Sequence, residues 1–335
     1  MGLNASQTVT INVEDGKKQG FVRQSCQLRV AAVIVNWNAR RVLRPCVEAL
    51  LDIPDLDLEV VVVDNASTDD SLETLHDLRG RIRVVQTGRN LGFGTGINRG
   101  AQSSDATFVL VLNPDVVLDV DSASKMVRFL EHNPSVGLVG PKLLDDKGRP
   151  AATCGRHPHI VAEVCRKFLL HLILPWLTFG RQRPTMPKKM GWVTGACFLV
   201  RRKAMEAVGG LDERIFMYYE DVDFCLRLRA AGWEVGYLPE ATGHHSGGAS
   251  SQQVLEQMLI VSETSYRLMI RRHLGLFAAR LLTWLTPVEM GMRTLIWQTM
   301  KLVYPACREE AQERIRAYQK IMTRTGAEVH VRSAG

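Results

Sequence analysis

The 335-residue sequence lacks the marks of several protein classes. Its seven cysteines form no Cys-x-x-Cys pair and are odd in number, so they do not form the pattern of a disulfide framework or a zinc site. We interpret them as reduced core residues of a cytosolic protein. The sequence contains no internal repeat and no low-complexity segment, and its aromatic content is 7%. These absences favour an ordinary globular protein with one large domain or two.

The sequence also lacks an uncharged apolar run of the length that crosses a bilayer, about 20 residues. The first 25 residues are polar and carry no apolar core of a secretory signal, and we expect residues 1–25 to form a disordered tail. The net charge is +7, yet no nucleic-acid-binding motif accompanies the basic clusters. The charge therefore favours lipid headgroups or a diphosphate as partners, and we expect no nucleic acid.

Short β-branched apolar runs alternate with segments of helical periodicity in the first third of the chain. The predicted strands are 28–35, 58–63, 82–86 and 107–112, and the predicted helices between them are 41–51, 70–78 and 96–103. Continuous apolar strands alternating with helices predict an α/β fold, a doubly wound and mostly parallel sheet with helices on both faces. A helix over 121–132 and a strand over 136–140 follow.

Polar residues follow the carboxyl ends of the four predicted strands, where ligands bind such sheets. These stations are Asn36 to Asn38, Asp64 to Ser67, Thr87 to Asn90, and Asn113 to Asp115. Asp64 could accept the imide N–H of uracil or thymine, which cytosine lacks. Its alternative role is a helix N-cap, although Ser67 or Asp69 stands nearer the predicted helix start.

A glycine-rich segment, 92–96, follows the third station. Its spacing differs from the dinucleotide fingerprint and it does not follow the first strand, so that interpretation is disfavoured. We interpret it as a turn that lets the backbone approach a nucleotide, with Asn90 and Asn98 as its polar members.

Asp115 is the candidate metal ligand at the fourth station. A carboxylate at a strand end can hold Mg²⁺ or Mn²⁺, which neutralises the charge of a departing diphosphate. Asn113 could reach a ribose hydroxyl. The alternative interpretation is a simple Asn-Pro turn.

Glu220 and Asp221 begin a predicted helix that ends at Gly232. Aromatic residues precede them and could form an apolar wall that keeps a general base poised. The alternative is capping, because acidic residues are favoured at helix N-termini. Asp223 and Arg227, four residues apart, predict a surface ion pair and nothing more.

His244 and His245 follow the predicted strand 234–238 and precede a glycine turn. A single histidine is usually structural, but two beside a glycine turn favour a ligand. We leave open which of the two would bind.

The remaining segments are apolar with basic interruptions. Residues 160–189 predict an acceptor-facing or membrane-facing insertion, and 251–335 a C-terminal helical region with amphipathic segments at 252–286 and 288–303. Apolar residues on one face and basic residues on the other suit a helix lying in a membrane surface. Packing on the sheet, or on a second subunit of a homodimer, is the alternative.

Seven motifs in order resemble those of the inverting glycosyltransferases of family 2, which have the GT-A fold. They are VAAVIVNWN, VVVDNASTDDS, RNLGFGTGINRG, VLVLNPDV, GWVTGACFLVRR, GGLDERIFMYYEDVDFCLRLRAAGW and HHSGGAS. The likeness is strongest to the bacterial rhamnosyltransferase-like branch, which builds cell-wall and surface polysaccharides. It implies a GT-A nucleotide-sugar-binding and catalytic domain over 26–250, a divalent cation (Mg²⁺ or Mn²⁺) and single-displacement transfer.

The resemblance also implies roles for individual residues. Asp64 would bind the pyrimidine base, Asp115 and His245 would hold the metal, and Asp221 would be the general base with Glu220 as its neighbour. Asn113 stands where the family has the first aspartate of its Asp-x-Asp motif. The expected donor-binding residues are Asn36, Asn38, Asp64, Asn65, Asn90, Asn113, Trp192 and Gly195.

The expected function is transfer of L-rhamnose from dTDP-rhamnose to a glycan or an acceptor on a polyprenyl diphosphate, at the inner face of the cytoplasmic membrane. Galactofuranose and hexosamine donors remain alternatives. A non-catalytic nucleotide-sugar-binding or glycan-binding module would have no need for Asp221. A nucleotidyltransferase would carry a glycine-rich, lysine-bearing loop after the first strand, where this chain has NWNAR at 36–40.

Overall fold

The computed structural model describes residues 29–54, 56–170, 181–247 and 254–333. The predicted tail, 1–25, and the middle of the predicted insertion, 171–180, lie outside these ranges. The following statements concern the described residues.

Four parallel strands form the first half of the central sheet, in the order β3-β2-β1-β4. They are β1 (Arg29–Asn36), β2 (Asp57–Asp64), β3 (Ile82–Gln86) and β4 (Phe108–Leu112). β4 is buried along its whole length, and β1 and β2 are buried over most of theirs. The four strand predictions are therefore confirmed to within one residue at each end.

The second half of the sheet continues in the order β4-β11-β6-β12-β5, and β9 pairs with β12. Its strands are β5 (Val116–Leu118), β6 (Val136–Leu144), β9 (Lys188–Lys189), β11 (Cys197–Arg201) and β12 (Glu234–His245). β11 runs antiparallel to both neighbours, and β12 runs parallel to β6. A smaller antiparallel sheet contains β7 (Cys154–Gly155), β8 (Arg181–Gln182) and β10 (Trp192–Val193).

Helices cover both faces of the central sheet, which confirms the doubly wound prediction. The helices on one face are α1 (Leu43–Leu51) and α3 (Ser122–His132), and those on the other are α2 (Phe93–Gln102), α5 (Arg202–Ala207) and α6 (Glu220–Ala230). Alternate residues of each strand enter the two cores, because successive side chains point to opposite faces. Ile34, for example, packs with α1, whereas its neighbours Val33 and Val35 pack with α2. The segment predicted as a helix at 70–78 contains a 3-10 helix, Glu73–Leu78.

The C-terminal region is helical as expected, but its break was predicted at the wrong place. It contains α7 (Leu255–His273), α8 (Gly275–Val303), a 3-10 turn (Pro305–Cys307) and α9 (Arg308–Ser333). The chain breaks at Gly275, whose φ is +85°, a conformation that glycine adopts without steric cost. α8 instead continues through Pro287, where the buried residues Thr286 and Glu289 anchor the helix on either side.

The first helix of the predicted insertion, α4 (Ile160–Lys167), packs against α8 through buried charges. Nζ of Lys167 lies 2.9 Å from Oε2 of Glu289 and 2.9 Å from Oγ1 of Thr286, and the Lys167 side chain is 1% exposed. Burial would raise the pKa of Glu289, but Arg166 and Lys167 outweigh it and hold that pKa below its usual value. Arg166 and Lys167 are thus held in internal ion pairs and are excluded from the basic clusters expected to attract phosphates.

None of the described helices has the length and hydropathy needed to cross a membrane.

Candidate active site

Asn36 and Asp64 end neighbouring parallel strands and are paired in register. Nδ2 of Asn36 lies 2.9 Å from Oδ1 of Asp64, 2.9 Å from Oγ of Ser67 and 2.8 Å from Oγ of Ser71. The backbone N–H of Ser67 donates to Oδ2 of Asp64 at 3.3 Å. Asp64 is therefore fixed at the sheet edge by contacts on both carboxylate oxygens. It does not cap a helix, because the 3-10 helix that follows begins only at Glu73 and has no side-chain cap.

Asn38 stands in the loop after β1 with a left-handed φ of 51°, which asparagine tolerates better than most residues. Its Oδ1 accepts the N–H of Thr68 at 2.8 Å, and its own N–H donates to Ser67 Oγ at 3.1 Å. These bonds hold the loops after β1 and β2 together beside Asp64.

Asn65 and Asn90 shape the glycine-rich turn. Nδ2 of Asn65 donates to Oδ1 of Asn90 and to the carbonyl of Gly92, both at 3.0 Å, and Oδ1 of Asn65 accepts the N–H of Leu91 at 3.0 Å. Asn65 is 2% exposed. The two asparagines therefore lie at the predicted edge of the sheet. Their side-chain amides form hydrogen bonds with each other and with the backbone of the glycine-rich turn.

The structure corrects two interpretations of this turn. A Cβ on Gly92 would lie 2.3 Å from the carbonyl oxygen of Phe216, so the close backbone approach is to this chain rather than to a nucleotide. Asn98 points away from the strand ends: its Nδ2 donates to the carbonyl of Leu211 and its Oδ1 accepts the N–H of Leu211, each at 2.9 Å. Asn98 pins the loop before α6 to α2.

Asp115 and His245 face each other across the β5–β12 pair, in which His245 is paired with Val116. Oδ1 of Asp115 and Nε2 of His245 lie 3.3 Å apart. Both atoms are buried, and neither has a hydrogen-bond partner among the described residues. Since successive strand residues face opposite sides, His245 points at Asp115 and the exposed His244 does not. His245 is therefore the candidate ligand of the two.

A carboxylate oxygen and an imidazole nitrogen are suitable ligands for a divalent cation. The described residues contain no cluster of three or more such side chains. Mg²⁺ is commonly held by one or two protein carboxylates together with substrate phosphates and waters. Asp115 and His245 therefore fit a cation that arrives with a phosphate ligand better than a closed structural metal site.

Asp221 is connected through Gly195 and Ala196 to Asn113, at the end of β4. Its Oδ2 accepts the backbone N–H of Gly195 at 2.7 Å, and the carbonyl of the next residue, Ala196, accepts the N–H of Asn113 at 2.9 Å. Trp192, in β10, leads into this link. The carboxylate of Asp221 is therefore held near the end of β4 and is not aimed into the core. The linked residue, Asn113, precedes Asp115 by two positions in the sequence.

Glu220 is buried behind this carboxylate, with 6% exposure. Burial, and then the neighbouring charge of Asp221, raise the pKa of Glu220 well above its usual value. The raised pKa favours the neutral form of Glu220 beside Asp221.

The prediction that Asp223 forms only a surface pair with Arg227 is wrong. Asp223 is 0% exposed. Besides Arg227 Nε at 2.7 Å, its carboxylate contacts Nη1 of Arg272 at 2.7 Å and Nε2 of His273 at 2.8 Å. Sequence reasoning missed these contacts because Arg272 and His273 stand 49 and 50 residues further along the chain. The sequence signal for these contacts was the run of basic residues in the last turn of α7. That run was not decisive, because the helix dipole also favours basic residues at a helix C-terminus.

The described edge thus holds a hydrogen-bonded cluster around Asp64 and the facing pair Asp115 and His245, with the carboxylate of Asp221 linked to the end of β4. The family model described as glycosyl transferase family 2 matches residues 31–209, more than half of the chain. The chain belongs to glycosyl transferase family 2. This confirms the resemblance drawn from the seven motifs.

Two relatives illustrate the branch. The N-acetylglucosaminyl-diphospho-decaprenol L-rhamnosyltransferase of Mycobacterium tuberculosis is 31% identical over 71% of this chain and 82% of its own. The dTDP-rhamnosyl transferase RfbF of Shigella flexneri is 24% identical over 67% of this chain and 71% of its own. The rhamnosyltransferase-like branch predicted from the motifs is thereby supported.

Among solved structures, the mannosyltransferase PcManGT of Pyrobaculum calidifontis, in complex with GDP-Man and Mn²⁺, matches with a TM-score of 0.52 and 15% identity. The match covers 89% of this chain and 84% of that one. A likeness at this identity shows the fold, and the GT-A prediction is confirmed. The family match ends at residue 209, before Asp221 and His245, so the roles of these two residues stay predictions.

Proposed function

We propose that this glycosyltransferase transfers its sugar with inversion in a single displacement, with Asp221 as the general base. Asp221 accepts the proton of an acceptor hydroxyl as that oxygen forms a bond to the anomeric carbon. The bond between that carbon and the diphosphate oxygen breaks, and the diphosphate leaves with the electron pair. The observation that carries the proposal is the hydrogen bond from Gly195 to Asp221, next to the link between Ala196 and Asn113.

We further propose that Asp115 and His245 hold Mg²⁺ or Mn²⁺ together with the donor's diphosphate. The support is their pair of buried, unpartnered, facing ligand atoms among the described residues. When bound, such a cation stabilises negative charge on the leaving diphosphate. The backbone N–H of Ser246 donates to the carbonyl of Asp115 at 3.2 Å, which keeps the two ligand residues together.

The proposed donor is dTDP-rhamnose and the proposed acceptor is a sugar on a polyprenyl diphosphate, as the names of the two relatives suggest. Asp64 supports a uracil or thymine base over cytosine, since only the former offer an imide N–H to a carboxylate. Galactofuranose and hexosamine donors carried on UDP would offer Asp64 the same imide N–H. The test therefore compares them with dTDP-rhamnose.

The test measures sugar transfer to a GlcNAc-diphospho-polyprenol analogue from dTDP-rhamnose, UDP-galactofuranose and UDP-GlcNAc. Asp221→Asn should lower kcat by roughly 10²- to 10⁴-fold, the usual contribution of a general base, while donor binding persists. Asp105→Asn is the matched control, because this exposed carboxylate pairs with Arg29 at the opposite, amino end of β1. Donor binding by the wild type without transfer to any acceptor would favour the binding module instead.

The metal proposal has a separate readout. Mn²⁺ should strengthen donor binding in calorimetry, and Asp115→Asn or His245→Ala should remove that gain. His244→Ala, the neighbouring histidine on the opposite side of β12, should leave it intact. Equal donor affinity with Mn²⁺ and with chelator would contradict metal dependence.

We also propose that α8 lies in the surface of an anionic membrane, which would place the enzyme peripherally at the cytoplasmic face. Exposed apolar residues recur along one side of this helix at Phe277, Trp284, Val288, Leu295 and Leu302. Their spacings of four and seven residues keep them on a single stripe, roughly 38 Å long at 1.5 Å per residue.

The charges of α8 support an anionic lipid surface as the occupant of that stripe. The single acidic residue of α8, Glu289, is 1% exposed and ion-paired. Its basic residues are Arg280, Arg293 and Lys301, of which Arg293 pairs with Glu289, so Arg280 and Lys301 are the cations offered to lipid phosphates. An apolar stripe on a helix with these two cations and no exposed carboxylate suits an amphipathic helix in the plane of an anionic interface.

The test is co-sedimentation with phosphatidylglycerol and with phosphatidylcholine vesicles. Replacing Phe277 and Trp284 together by serine should weaken binding to the anionic vesicles at least about tenfold, because each loses a buried aromatic contact with lipid. Val120→Ser, at an exposed valine before α3, is the control. If the double variant instead turned a dimer into a monomer with vesicle binding unchanged, a second copy would cover the stripe and the membrane proposal would fail.

A further inference from the structure

One helix of the C-terminal region, α7, contacts the segment that carries Asp221 at three successive points. Oγ of Ser265 donates to the carbonyl of Met217 at 2.8 Å. The rings of Tyr266 and Tyr219 have centroids 5.4 Å apart.

The third point is the end of α7, where Arg272 and His273 contact Asp223, as described above. Nη2 of Arg272 also lies 2.6 Å from Oδ2 of Asp212. Arg227 Nη1 donates to the carbonyls of Val208 and Gly210, each at 2.7 Å. The end of α7, the start of α6 and the loop before α6 therefore share one network of charges.

The segment between these contacts has an unusual backbone. Tyr218 and Tyr219 both have positive φ, 66° and 64°, immediately before Glu220. Two consecutive non-glycine residues in the left-handed region persist only where the surroundings hold them, and such residues cluster at functional sites. The contacts from Ser265 and Tyr266 fall on Met217, directly before this strained pair, and on Tyr219, its second member.

The two sides of α6 pack on different partners. Phe224, Cys225 and Leu228 enter the core beneath the sheet. Val222 and Leu226 pack against α7, where Met269 and Ile270 are buried. Apolar packing alone fixes which face is buried, but it is non-directional. The two donors from α7, Arg272 and His273, add direction, since a rotation or shift of α6 would separate the buried Asp223 carboxylate from them, which is costly.

We propose that α7 positions the general base, with Arg272, His273 and Asp223 as positioning residues for Asp221. The inference rests on the proposed role of Asp221. Asp221 and Asp223 stand two residues apart on one helix, so the ion network fixes the angle and height at which Asp221 meets the N–H of Gly195. α7 lies beyond the family match at residues 31–209, and the family resemblance assigns it no part in the reaction.

The test compares Arg272→Met with Arg293→Met. Both arginine side chains are 30% exposed and both pair with a buried carboxylate, Asp223 or Glu289, but only Arg272 contacts α6. Arg272→Met should lower kcat about 10- to 100-fold, as misplacement of a catalytic group does, with the donor dissociation constant within twofold of wild type. Arg293→Met should change neither. Arg272→Lys should recover part of the rate, and His273→Gln serves if Arg272→Met does not fold.

Hydrogen exchange of the backbone amides at 217–223 provides a readout that does not need turnover. Exchange there should rise in Arg272→Met and stay at the wild-type level in Arg293→Met. Faster exchange with an unchanged kcat would overturn the positioning role, as would equal losses of kcat in the two methionine variants. A wild-type protein without any transfer activity would refute the proposed function itself, a result distinct from either of these.

Discussion

Adding one methyl group at Gly195 should slow transfer without removing any charge from the site. A Cβ built on Gly195 would lie 3.3 Å from Cβ of Asp221, 3.3 Å from Cε1 of Phe93 and 3.6 Å from Oδ2 of Asp221. Comfortable carbon–carbon contact is about 3.5–4.0 Å. Because Phe93 blocks the other side, Gly195→Ala should push the Asp221 carboxylate away by a few tenths of an ångström.

The size of the effect follows from that displacement. A misplacement of about 1 Å can cost roughly 10²-fold in rate. If the logarithm of the rate falls in proportion, a shift of about 0.3–0.5 Å predicts a loss of roughly 4- to 10-fold in kcat, by the same principle. Donor affinity should change less, since Asp64 and its partner Asn36 lie at the ends of β2 and β1.

The assay measures kcat and the donor KM of Gly195→Ala beside Gly94→Ala. The control has the same steric tightness, because a Cβ on Gly94 would lie 3.2 Å from Cβ of Leu211, but it meets no carboxylate. We expect the loss of kcat in Gly195→Ala only. Equal rates in the two variants would refute the geometry assigned to Asp221. A raised KM with unchanged kcat would show that Gly195 contacts only the donor.

Two further predictions concern stability, and both are measured as free energies of unfolding in urea. Lys167→Met should lower the free energy of unfolding by about 3 kcal/mol, the lower end for breaking a buried ion pair, because Glu289 keeps Arg166 and Arg293 as partners. The control, Lys125→Met at an exposed ion pair, should lower it by less than about 1 kcal/mol. Equal losses in the two variants would contradict the burial of Lys167. Glu220→Gln should flatten the pH dependence of the free energy of unfolding. Because the pKa of Glu220 is raised in the folded protein, its stabilising contribution is complete below the unfolded-state pKa of 4.5. That contribution is lost as pH rises towards the folded-state pKa, with a slope of up to about 1.4 kcal/mol per pH unit. An unchanged slope between pH 5 and 8 in the variant would show that Glu220 ionises normally.

The sequence was sufficient for the parallel sheet because its strands are buried on both faces. Such strands appear as unbroken β-branched runs, as in VVVV at 60–63, and polar residues that follow them stand at a common edge by geometry. The sequence alone could therefore assign Asn36, Asp64 and Asn113 to the carboxyl edge of the sheet. The same reasoning could not separate His244 from His245, because that choice depends on the pairing of β12 with β5.

Predictions failed where a residue's partner is distant in the chain. Lys167 and Thr286 are separated by 119 positions, and Asn98 and Leu211 by 113. Local periodicity assigns a charged residue to a solvent-facing side, and it contains no information about a carboxylate on another helix. Asp223 was misassigned for the same reason: Arg227 lies at the spacing of a helix surface pair, whereas Arg272 does not.

The distribution of the site over the chain has a functional consequence. Asp64 ends β2 in register with Asn36, and Asp115 directly precedes β5, so strand pairing within the sheet fixes both residues. Asp221 belongs to a helix whose outer face and buried carboxylate are held by α7. The proposed donor contact at Asp64 and the proposed base Asp221 are thus supported by different parts of the molecule. Changes in α7 should consequently alter kcat while donor affinity holds, whereas changes at the ends of β1 and β2 should weaken donor binding first.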